Sequence, residues 1–555
     1  MFRVLMQRLS GAAVLCAGLS LSAMSPLSPL PGVAASADME LGTNLSPVTY
    51  YNTFPVFNNL MNQAKDWTLV PVQGGQRING DVRGLYPARG DGYPLEVPFT
   101  LNGQDHRVQT LIPVFEDGVH RVRVRGTGRV SLRGPGFRET WEVDGLFDAE
   151  VEVQGSRDLA GFGTAANLTE ARNSPSVMTL EILESDASNP VRAVRIFRPD
   201  TTFGQVLAFS SEFLELLEPY SVLRAMKWTN LDANGPARWS ERPRTWGYSM
   251  ATEAGVPFEL MIDLANQLDQ DLWLTVPSLA DANMITKLAE LTRDELKPGL
   301  RVYLEYANEV WVPSMASYAF VNDNYEGDNV WQKYGARSAE VFEEWHRVFD
   351  ADPSRGTADE RLVCVLAGQA VRVEVLENAL QTAGPHVDAL GIAPYFGTRF
   401  FVTEGDRPSN IPPFPDNDAA VLDLLASDTY NRINGGVRDA VRDHRALADQ
   451  AGVDLVCYEG GQSYVGVRNA RNVPALTDAL LSLNRSWHMR NLYRYRYLPM
   501  LDREGISLLC HFADAGPAWG RFGSWNAVEY VGQPVSRRPG DAVKAWALQD
   551  WLSSQ

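Results

Sequence analysis

Two glutamates stand two or three residues after the ends of short hydrophobic segments, where a carboxyl group could act on a substrate. Glu309 follows the segment Arg301–Tyr306, and Glu459 follows Asp454–Cys457 and precedes two glycines. A carboxylate at the end of an apolar strand is unfavourable unless it is solvated, paired or used in chemistry. One carboxylic acid that donates a proton and one carboxylate that attacks carbon are the pair that double displacement at a glycosidic bond requires. The two residues therefore indicate acid/base and nucleophilic chemistry.

The elements that must position these residues are short apolar segments that alternate with helical runs. After Phe203 seven such segments are typical of buried parallel strands, and an eighth lies upstream at Leu41–Leu45. The seven are Val222–Met226, Leu272–Val276, Arg301–Tyr306, Leu362–Leu366, Ala389–Ile392, Asp454–Cys457 and Ile506–Cys510. Eight strand–helix units predict a closed (β/α)8 TIM barrel, whose strand ends carry the chemistry. An open, doubly wound sheet is the alternative, although no glycine-rich phosphate loop follows any of these strands.

A different pattern occupies the chain between the first and second predicted barrel strands. From Trp67 to Arg198 short β-branched runs alternate between apolar and polar residues, and Gly, Asn and Asp interrupt them. This pattern is typical of a β-sandwich. The sequence therefore predicts an α/β protein in which residues 38–66 supply the first barrel strand and helix, residues 67–198 an inserted all-β sandwich, and residues 199–555 the rest of the barrel. We expect the insert to shape one end of the cleft; sugar binding by the insert is the alternative.

The strand-end residues resemble those of glycoside hydrolase clan A, the retaining (β/α)8-barrel glycosidases. The resemblance rests on Asn308-Glu309 at the fourth strand and Glu459 at the seventh, and it covers most of the chain outside the insert. It implies that Glu309 is the general acid/base and that Glu459 is the nucleophile. It also implies that Asn308 forms a hydrogen bond with the 2-hydroxyl of the substrate.

Three further residues resemble functional residues of the same clan. Arg224, near the end of the second strand, resembles the arginine that holds the nucleophile ionised; a purely structural salt bridge is the alternative. Tyr395, after the sixth strand, resembles the tyrosine that forms a hydrogen bond with the nucleophile. Trp525, after the eighth strand, resembles the aromatic platform under the bound sugar. Glu305 shares strand parity with Glu309, and we interpret it as structural.

Retaining hydrolysis requires different pKa values from two identical side chains. Glu309 must stay protonated near neutral pH, which apolar surroundings and the negative charge of Glu459 would favour. Arg224 and Tyr395 would keep Glu459 ionised. After glycosylation Glu459 has lost its charge, so the pKa of Glu309 falls and this residue can act as a base on water. In the alternative interpretation, Glu309 caps a helix that begins near Pro313 and Glu459 pairs with a neighbouring arginine.

Composition narrows the possible partners. The 555 residues include 50 Lys and Arg against 68 Asp and Glu, and the formal charge of −18 argues against nucleic acid as a partner. The 14 Trp and 19 Tyr are consistent with stacking against a carbohydrate substrate. Trp246, Trp311 and Trp519 could line sugar subsites or pack in the core. We expect no metal site and no cofactor, because no metal-binding sequence motif occurs.

The N-terminus has the features of an export signal. Arg3 and Arg8 precede an apolar stretch from Leu9 to about Met24, and small residues precede a candidate cleavage point after Ala37. The sequence thus predicts a signal peptide over residues 1–37 and a secreted or periplasmic protein; a retained N-terminal anchor is the alternative. We expect no stable membrane insertion, because the stretch is shorter than the ~20 residues that span a bilayer. Cys364, Cys457 and Cys510 lie in apolar runs and are predicted to be buried thiols.

These features predict an exported retaining glycoside hydrolase that cleaves a β-linked polysaccharide or oligosaccharide. A non-catalytic exported glycan-binding protein on the same barrel, or an interaction protein that acts through the sandwich, are the alternatives. Glucans, mannans, xylans and galactans all fit the residues. Endo or exo action depends on the loops around residues 230–250 and 397–415, and the oligomeric state is left open.

Overall fold

The computed structural model describes residues 39–156, 159, 176–199, 201, 208–229, 235–405, 408–412, 418–518 and 520–554. The predicted signal peptide, its cleavage point at Ala37, Trp519 and parts of the two cleft loops lie outside these residues. Within these ranges no helix is both long and apolar enough to cross a membrane.

Eight parallel strands close into a barrel. They are β1 (Glu40–Asn44), β9 (Val222–Arg224), β10 (Asp271–Val276), β11 (Val302–Tyr306), β12 (Leu362–Ala367), β13 (Ala389–Ile392), β15 (Asp454–Cys457) and β17 (Leu508–His511). The strands follow one another around the ring in chain order, and β1 closes it by pairing with β9 and β17. Each strand overlaps a predicted segment, so the barrel prediction is confirmed and the open sheet is excluded.

Gly42 shows why the ring can close at β1. A Cβ atom at this residue would lie 2.7 Å from Cys510 Sγ on β17 and 2.8 Å from the Val222 carbonyl oxygen on β9. Any larger residue would force one of the two neighbouring strands away. Glycine at this position therefore permits the closure that brings the strand ends to a single rim.

Helices cover the outside of the barrel and bury the outward side chains of the strands. They are α1 (Ser211–Leu217), α2 (Phe258–Leu268), α3 (Ala282–Glu295), α4 (Ala316–Asn324), α5 (Val330–Asp350), α6 (Ala358–Arg361), α7 (Glu374–Leu380), α8 (Asp418–Arg432), α9 (Arg438–Ala451), α10 (Pro474–Asn484), α11 (Trp487–Leu492), α12 (Leu498–Arg503) and α13 (Val543–Leu552). The barrel interior is filled by inward side chains, including Trp273, Tyr303, Val456 and Tyr458. Buried on both faces, the strands are hydrophobic almost throughout, as parallel strands under helices must be.

A second, antiparallel sheet lies in sequence between β1 and β9. Its strands are β2 (Thr68–Pro71), β3 (Phe99–Leu101), β4 (Gln104–Val114), β5 (Gly118–Gly134), β6 (Phe137–Val153), β7 (Ser176–Ser185) and β8 (Arg192–Phe197). Two short strands, β14 (Arg399–Phe400) and β16 (Val465–Gly466), form a separate pair. The second sheet has its own hydrophobic core, to which strands and connecting loops contribute.

The predicted two-layer sandwich is not confirmed. The seven strands form one hydrogen-bonded network, because β5 is long enough to pair with β7 along one half and with β8 along the other. β5 also pairs with β6 along its whole length, from Gly118 opposite Val153 to Gly134 opposite Phe137. The length of β5, which the alternating pattern did not reveal, therefore lets this one strand link the strands that were predicted to form two separate sheets.

The three cysteines of the described chain are free and buried, as predicted. Cys457 and Cys510 lie on neighbouring barrel strands, and Cys364 lies on β12. Burial raises the pKa of the Cys457 and Cys364 thiols well above the usual value. They therefore behave as small hydrophobic side chains.

Candidate active site

The two glutamates lie at the same rim of the barrel. Glu309 comes three residues after β11 ends, and Glu459 comes two residues after β15 ends. Because all eight strands are parallel, their carboxyl ends meet at one rim, where chemistry is located in barrels of this type.

Glu459 uses both carboxylate oxygens. Oε1 accepts a hydrogen bond from Arg224 Nη1 at 2.9 Å, and Oε2 accepts one from the Tyr395 hydroxyl at 2.9 Å. Hydrogen bonds and positive charge directed at a carboxylate favour its ionised form. Burial and the negative charge of Glu459 raise the pKa of Tyr395 well above its usual value, so the hydroxyl remains a donor. Arg224 and Tyr395 thus each donate a hydrogen bond to the carboxylate of Glu459.

Arg224 joins the glutamates to the interior of the barrel. Its guanidinium is fully buried and contacts Glu305 at 3.0 Å as well as Glu459 at 2.9 Å. Burial alone would lower the pKa of Arg224, but the charges of Glu305 and Glu459 outweigh it and the pKa is raised. The Nη2 atom also donates to Asn308 Oδ1 at 3.2 Å. The structural salt bridge and the contact to the candidate nucleophile are therefore made by one side chain.

Glu305 lies one pleat below the rim and is completely buried. Besides Arg224, it accepts hydrogen bonds from Trp273 Nε1 at 2.9 Å and Thr275 Oγ1 at 3.2 Å. Such a network satisfies a carboxylate that would otherwise be unfavourable in the interior. Its contacts support the interpretation of Glu305 as a structural residue that orients Arg224.

Glu309 has an environment opposite to that of Glu459. Burial raises its pKa to about 7, and the negative charge of Glu459 adds to the effect, while Arg224 and Lys227 act in the other direction. Among the described residues its carboxyl has no hydrogen-bond partner. The next helix, α4, begins at Ala316 without a side-chain cap, so the helix-capping alternative does not hold. Burial and the nearby negative charge therefore favour the protonated form of Glu309.

The backbone around Asn308 is held in an unusual conformation. Ala307 and Glu309 have φ angles of 53° and 47°, in the left-handed region that residues with a Cβ seldom adopt. Each such residue costs about 1–3 kcal/mol, and such strain concentrates at functional sites. The resulting turn directs Asn308 towards Arg224. Asn308 is 8% exposed, so its amide reaches the rim but little solvent.

Two tyrosines that the sequence analysis did not single out position the candidate nucleophile. Tyr497 accepts a hydrogen bond from the Gly461 amide at 3.2 Å and donates one to the Pro394 carbonyl at 3.1 Å, so it links the segments that carry Glu459 and Tyr395. Tyr493 accepts from the Gln462 amide at 2.9 Å. A Cβ at Gly461 would lie 2.6 Å from the Tyr493 hydroxyl, and φ there is 125°, so only glycine fits. The signal available in the sequence was the four-residue spacing of Tyr493 and Tyr497, which can place two side chains on one face of a helix.

Asn44, at the end of β1, is a further residue that the sequence analysis missed. Its Oδ1 accepts from Arg224 Nη1 at 2.8 Å, and its Nδ2 donates to the carbonyls of Tyr458 at 3.0 Å and Cys510 at 3.2 Å. Asn44 therefore ties three barrel strands together directly below Glu459. A polar residue at the end of an apolar strand was the signal that could have identified it.

Trp525 is half-buried on the segment after β17. Its neighbour Ser524 accepts hydrogen bonds from Gln462 Nε2 and Lys544 Nζ, both at 2.5 Å. The first contact anchors the segment to the loop that follows Glu459, and the second anchors it to α13. The use of the Trp525 ring as a sugar platform stays a prediction.

One group of side chains in the described parts of the chain brings three potential metal ligands together. Ligand atoms of His346, Cys364 and Asp388 lie within 4.8 Å of one another. They lie near the amino ends of β12 and β13, at the opposite end of the barrel from the glutamates. Asp388 already accepts a hydrogen bond from the Cys364 amide at 2.7 Å. Because the three residues come from separate elements, no sequence motif pointed to them.

No family model matches the chain, and no curated protein matches it. Among solved structures, the GH51 arabinofuranosidase from Xanthomonas axonopodis pv. citri is similar with a TM-score of 0.35 and 14% identity, over 57% of this chain and 63% of that one. An endo-β-1,4-mannanase double mutant from Cellulomonas fimi gives a TM-score of 0.31 and 14% identity, over 60% of this chain and 63% of that one.

The β-D-glucuronidase from Dictyoglomus thermophilum gives a TM-score of 0.30 and 11% identity, over 89% of this chain and 97% of that one. This chain spans less than two thirds of the arabinofuranosidase and of the mannanase. These similarities are too distant to assign the chain to a family.

Proposed function

We propose that the protein is an exported retaining glycoside hydrolase that acts on a β-linked polysaccharide or oligosaccharide. Glu459 is the nucleophile and Glu309 is the general acid/base. The observation that carries the proposal is the difference between the two carboxyls: Glu459 accepts from Arg224 and Tyr395, whereas burial and the charge of Glu459 raise the pKa of Glu309 to about 7. Two glutamates at one barrel rim, one of them in surroundings that favour its protonated form, are what double displacement needs.

In the first step an oxygen of Glu459 attacks the anomeric carbon while the bond from that carbon to the leaving-group oxygen breaks. Glu309 transfers its proton to that oxygen, so the leaving group departs as a neutral alcohol and Glu309 becomes a carboxylate. Arg224 and Tyr395 hold Glu459 in position and stabilise its negative charge before it attacks. That charge is lost when the ester forms. Asn308 is placed to form a hydrogen bond with the sugar.

In the second step water attacks the anomeric carbon of the glycosyl ester. Glu309 takes a proton from this water, the bond to Glu459 breaks, and Glu459 recovers its negative charge. Because Glu459 is neutral in the ester, the pKa of Glu309 is lower at the moment when it must act as a base. Neither step requires a cofactor. The configuration of the sugar product is retained.

Export belongs to the proposal. The basic start, the apolar stretch and the small residues before position 38 support it. A polysaccharide substrate is consistent with export, since an exported enzyme meets polysaccharides outside the cytoplasm. Edman sequencing of the protein recovered from the culture medium or periplasm would show a new N-terminus near Asp38; an intact Met1 in the exported fraction would contradict cleavage.

The catalytic assignment can be tested with aryl β-glycosides and a panel of β-linked polysaccharides. We expect Glu459→Ala to abolish turnover. Glu309→Ala should slow substrates with poor leaving groups much more than 2,4-dinitrophenyl glycosides, which need no proton donor. Glu504→Gln is a matched control, because Glu504 is a carboxylate paired with Arg442 near the amino end of β17, away from the rim. Normal rates in both rim variants would refute the assignment, and tight glycan binding without product would favour a non-catalytic binding protein.

A further inference from the structure

A cavity of about 590 Å³ lies where the antiparallel sheet meets the loop that follows β9. Five arginines line it, and we call it the arginine cavity: Arg89, Arg123, Arg125, Arg192 and Arg195. In a chain with a formal charge of −18, this concentration of positive charge is unusual. The loop follows the carboxyl end of a barrel strand, so it belongs to the same side of the barrel as Glu309 and Glu459.

The register of the sheet places like charges opposite each other. Arg123 on β5 faces Arg195 on β8, and Arg125 faces Arg192, with an irregularity in register between the two pairs. Like charges that are directly opposite on neighbouring antiparallel strands destabilise a sheet. Two such pairs side by side form a face that a bound anion would stabilise.

Among the described residues, two of the five arginines have carboxylate partners. Arg123 forms a bidentate pair with Asp148, and Arg89 contacts Asp91 at 3.2 Å. Arg192 donates to an amide oxygen and a backbone carbonyl, those of Asn189 and Pro190.

For the side chains of Arg125 and Arg195, the described residues contain neither a salt-bridge nor a hydrogen-bond partner, and both side chains are exposed. The cavity therefore presents three guanidinium groups, those of Arg125, Arg192 and Arg195, that have no carboxylate partner in the described part of the chain. Guanidinium groups recognise carboxylate, sulfate and phosphate oxygens with paired hydrogen bonds.

An aromatic ring completes the site. Trp246 lines the same cavity and is 57% exposed, the most of any tryptophan among the described residues. Its ring packs over Gly90, where a Cβ would lie 3.2 Å from it. The loop is anchored next to it, because Tyr248 donates its hydroxyl proton to Asp66 at 2.7 Å and its amide proton to the Asp91 carbonyl at 3.0 Å. A held, exposed indole face is suited to stacking on a sugar ring.

We infer that the arginine cavity binds an acidic saccharide. Arg125, Arg192 and Arg195 hold the anionic group, which is the carboxylate of a uronic acid or a sulfate ester, and a sugar ring stacks on Trp246. The binding itself is independent of the proposed function. Only the further step, that this saccharide is part of the substrate, rests on it.

The inference can be tested by calorimetry on the full chain at low salt. The probes are trigalacturonate, a sulfated carrageenan tetrasaccharide, neutral cellotriose and inorganic phosphate. The test variant is Arg125→Ala with Arg195→Ala. The matched control is Arg133→Ala with Arg138→Ala, which removes two exposed arginines that face each other farther along β5 and β6 and do not line the cavity. Both variants change the net charge equally.

We expect at least one acidic saccharide to bind, cellotriose not to bind, and the cavity variant to weaken binding at least tenfold while the control variant does not. Trp246→Ala should weaken the binding of the acidic saccharide but not the binding of phosphate. The relative affinities of the carboxylated and sulfated probes identify the anionic group. The inference is overturned if no acidic saccharide binds, if both double variants weaken binding equally, or if phosphate alone competes for the site. Measured in the Glu459→Ala background, binding is separate from turnover, so either proposal can fail without the other.

Discussion

The raised pKa of Glu309 depends in part on Glu459, and this dependence can be measured directly. Replacing Glu459 with glutamine removes one negative charge while retaining groups that can bond to Arg224 and Tyr395. We expect Glu459→Gln to lower the pKa of Glu309, because the ionised form of Glu309 no longer faces a like charge. The same change occurs during turnover when Glu459 becomes an ester.

The size of the effect follows from Coulomb's law. Two unit charges about 5.5 Å apart, the separation typical of retaining glycosidases, interact by about 3 kcal/mol at an effective dielectric constant of about 20. Solvent at the rim and the positive charge of Arg224 reduce this to roughly half. Since one pKa unit corresponds to about 1.4 kcal/mol, the pKa of Glu309 should fall from about 7 to about 6.

The measurement is a ¹³C NMR titration of protein labelled at glutamate Cδ, with Glu309→Gln used to assign the resonance. In the wild-type enzyme the alkaline limb of kcat/KM should report the same group: activity is lost as pH rises through about 7, because Glu309 must be protonated in the first step. Glu504→Gln, which also removes one negative charge, should leave the titration of Glu309 unchanged. An unaltered pKa in Glu459→Gln would refute the electrostatic coupling on which the mechanism depends.

Three further predictions concern residues around the site and the core. Tyr395→Phe removes one hydrogen bond to Glu459, worth about 1.5–3 kcal/mol for a charged acceptor, so kcat/KM should fall at least tenfold while the urea midpoint changes little; unchanged kinetics would contradict this. Arg224→Met leaves its two buried carboxylates without their cation and should lower the free energy of unfolding by about 3–5 kcal/mol in urea titrations; a stable variant would show that another group compensates. Burial lowers the pKa of Lys544 from 10.5 to about 7, so the unfolded chain binds more protons between these values and stability should rise with pH across this window; Lys544→Met should abolish that rise in thermal melts.

Much of the barrel could be predicted because its strands have a local signature. Segments such as Leu272–Val276 and Asp454–Cys457 are short, apolar and separated by helical runs, and each coincides with an observed strand to within one residue. The glutamates stood out because a charged residue that ends an apolar strand needs an explanation. Both properties depend only on neighbours in sequence.

The insert was predicted less completely. Alternating residues identified strands between positions 67 and 198, but alternation does not reveal how long a strand is or which strands it pairs with. The 17 residues of β5 contact three partner strands. The two Arg–Arg pairs exist only because β5 and β8 meet in a particular register, so the arginine cavity could not be read from the chain.

The sequence alone determined the number and position of the barrel strands and the two acidic residues at their ends. Tertiary structure alone decided which groups contact those two residues and how readily each one is protonated. Asn44 bonds to Tyr458, 414 residues away, and Arg224 bonds to Glu459, 235 residues away, so neither contact has a local signal. The protonation of each glutamate depends on its burial and on nearby charges that belong to distant segments of the chain. Only closure of the barrel brings these segments together.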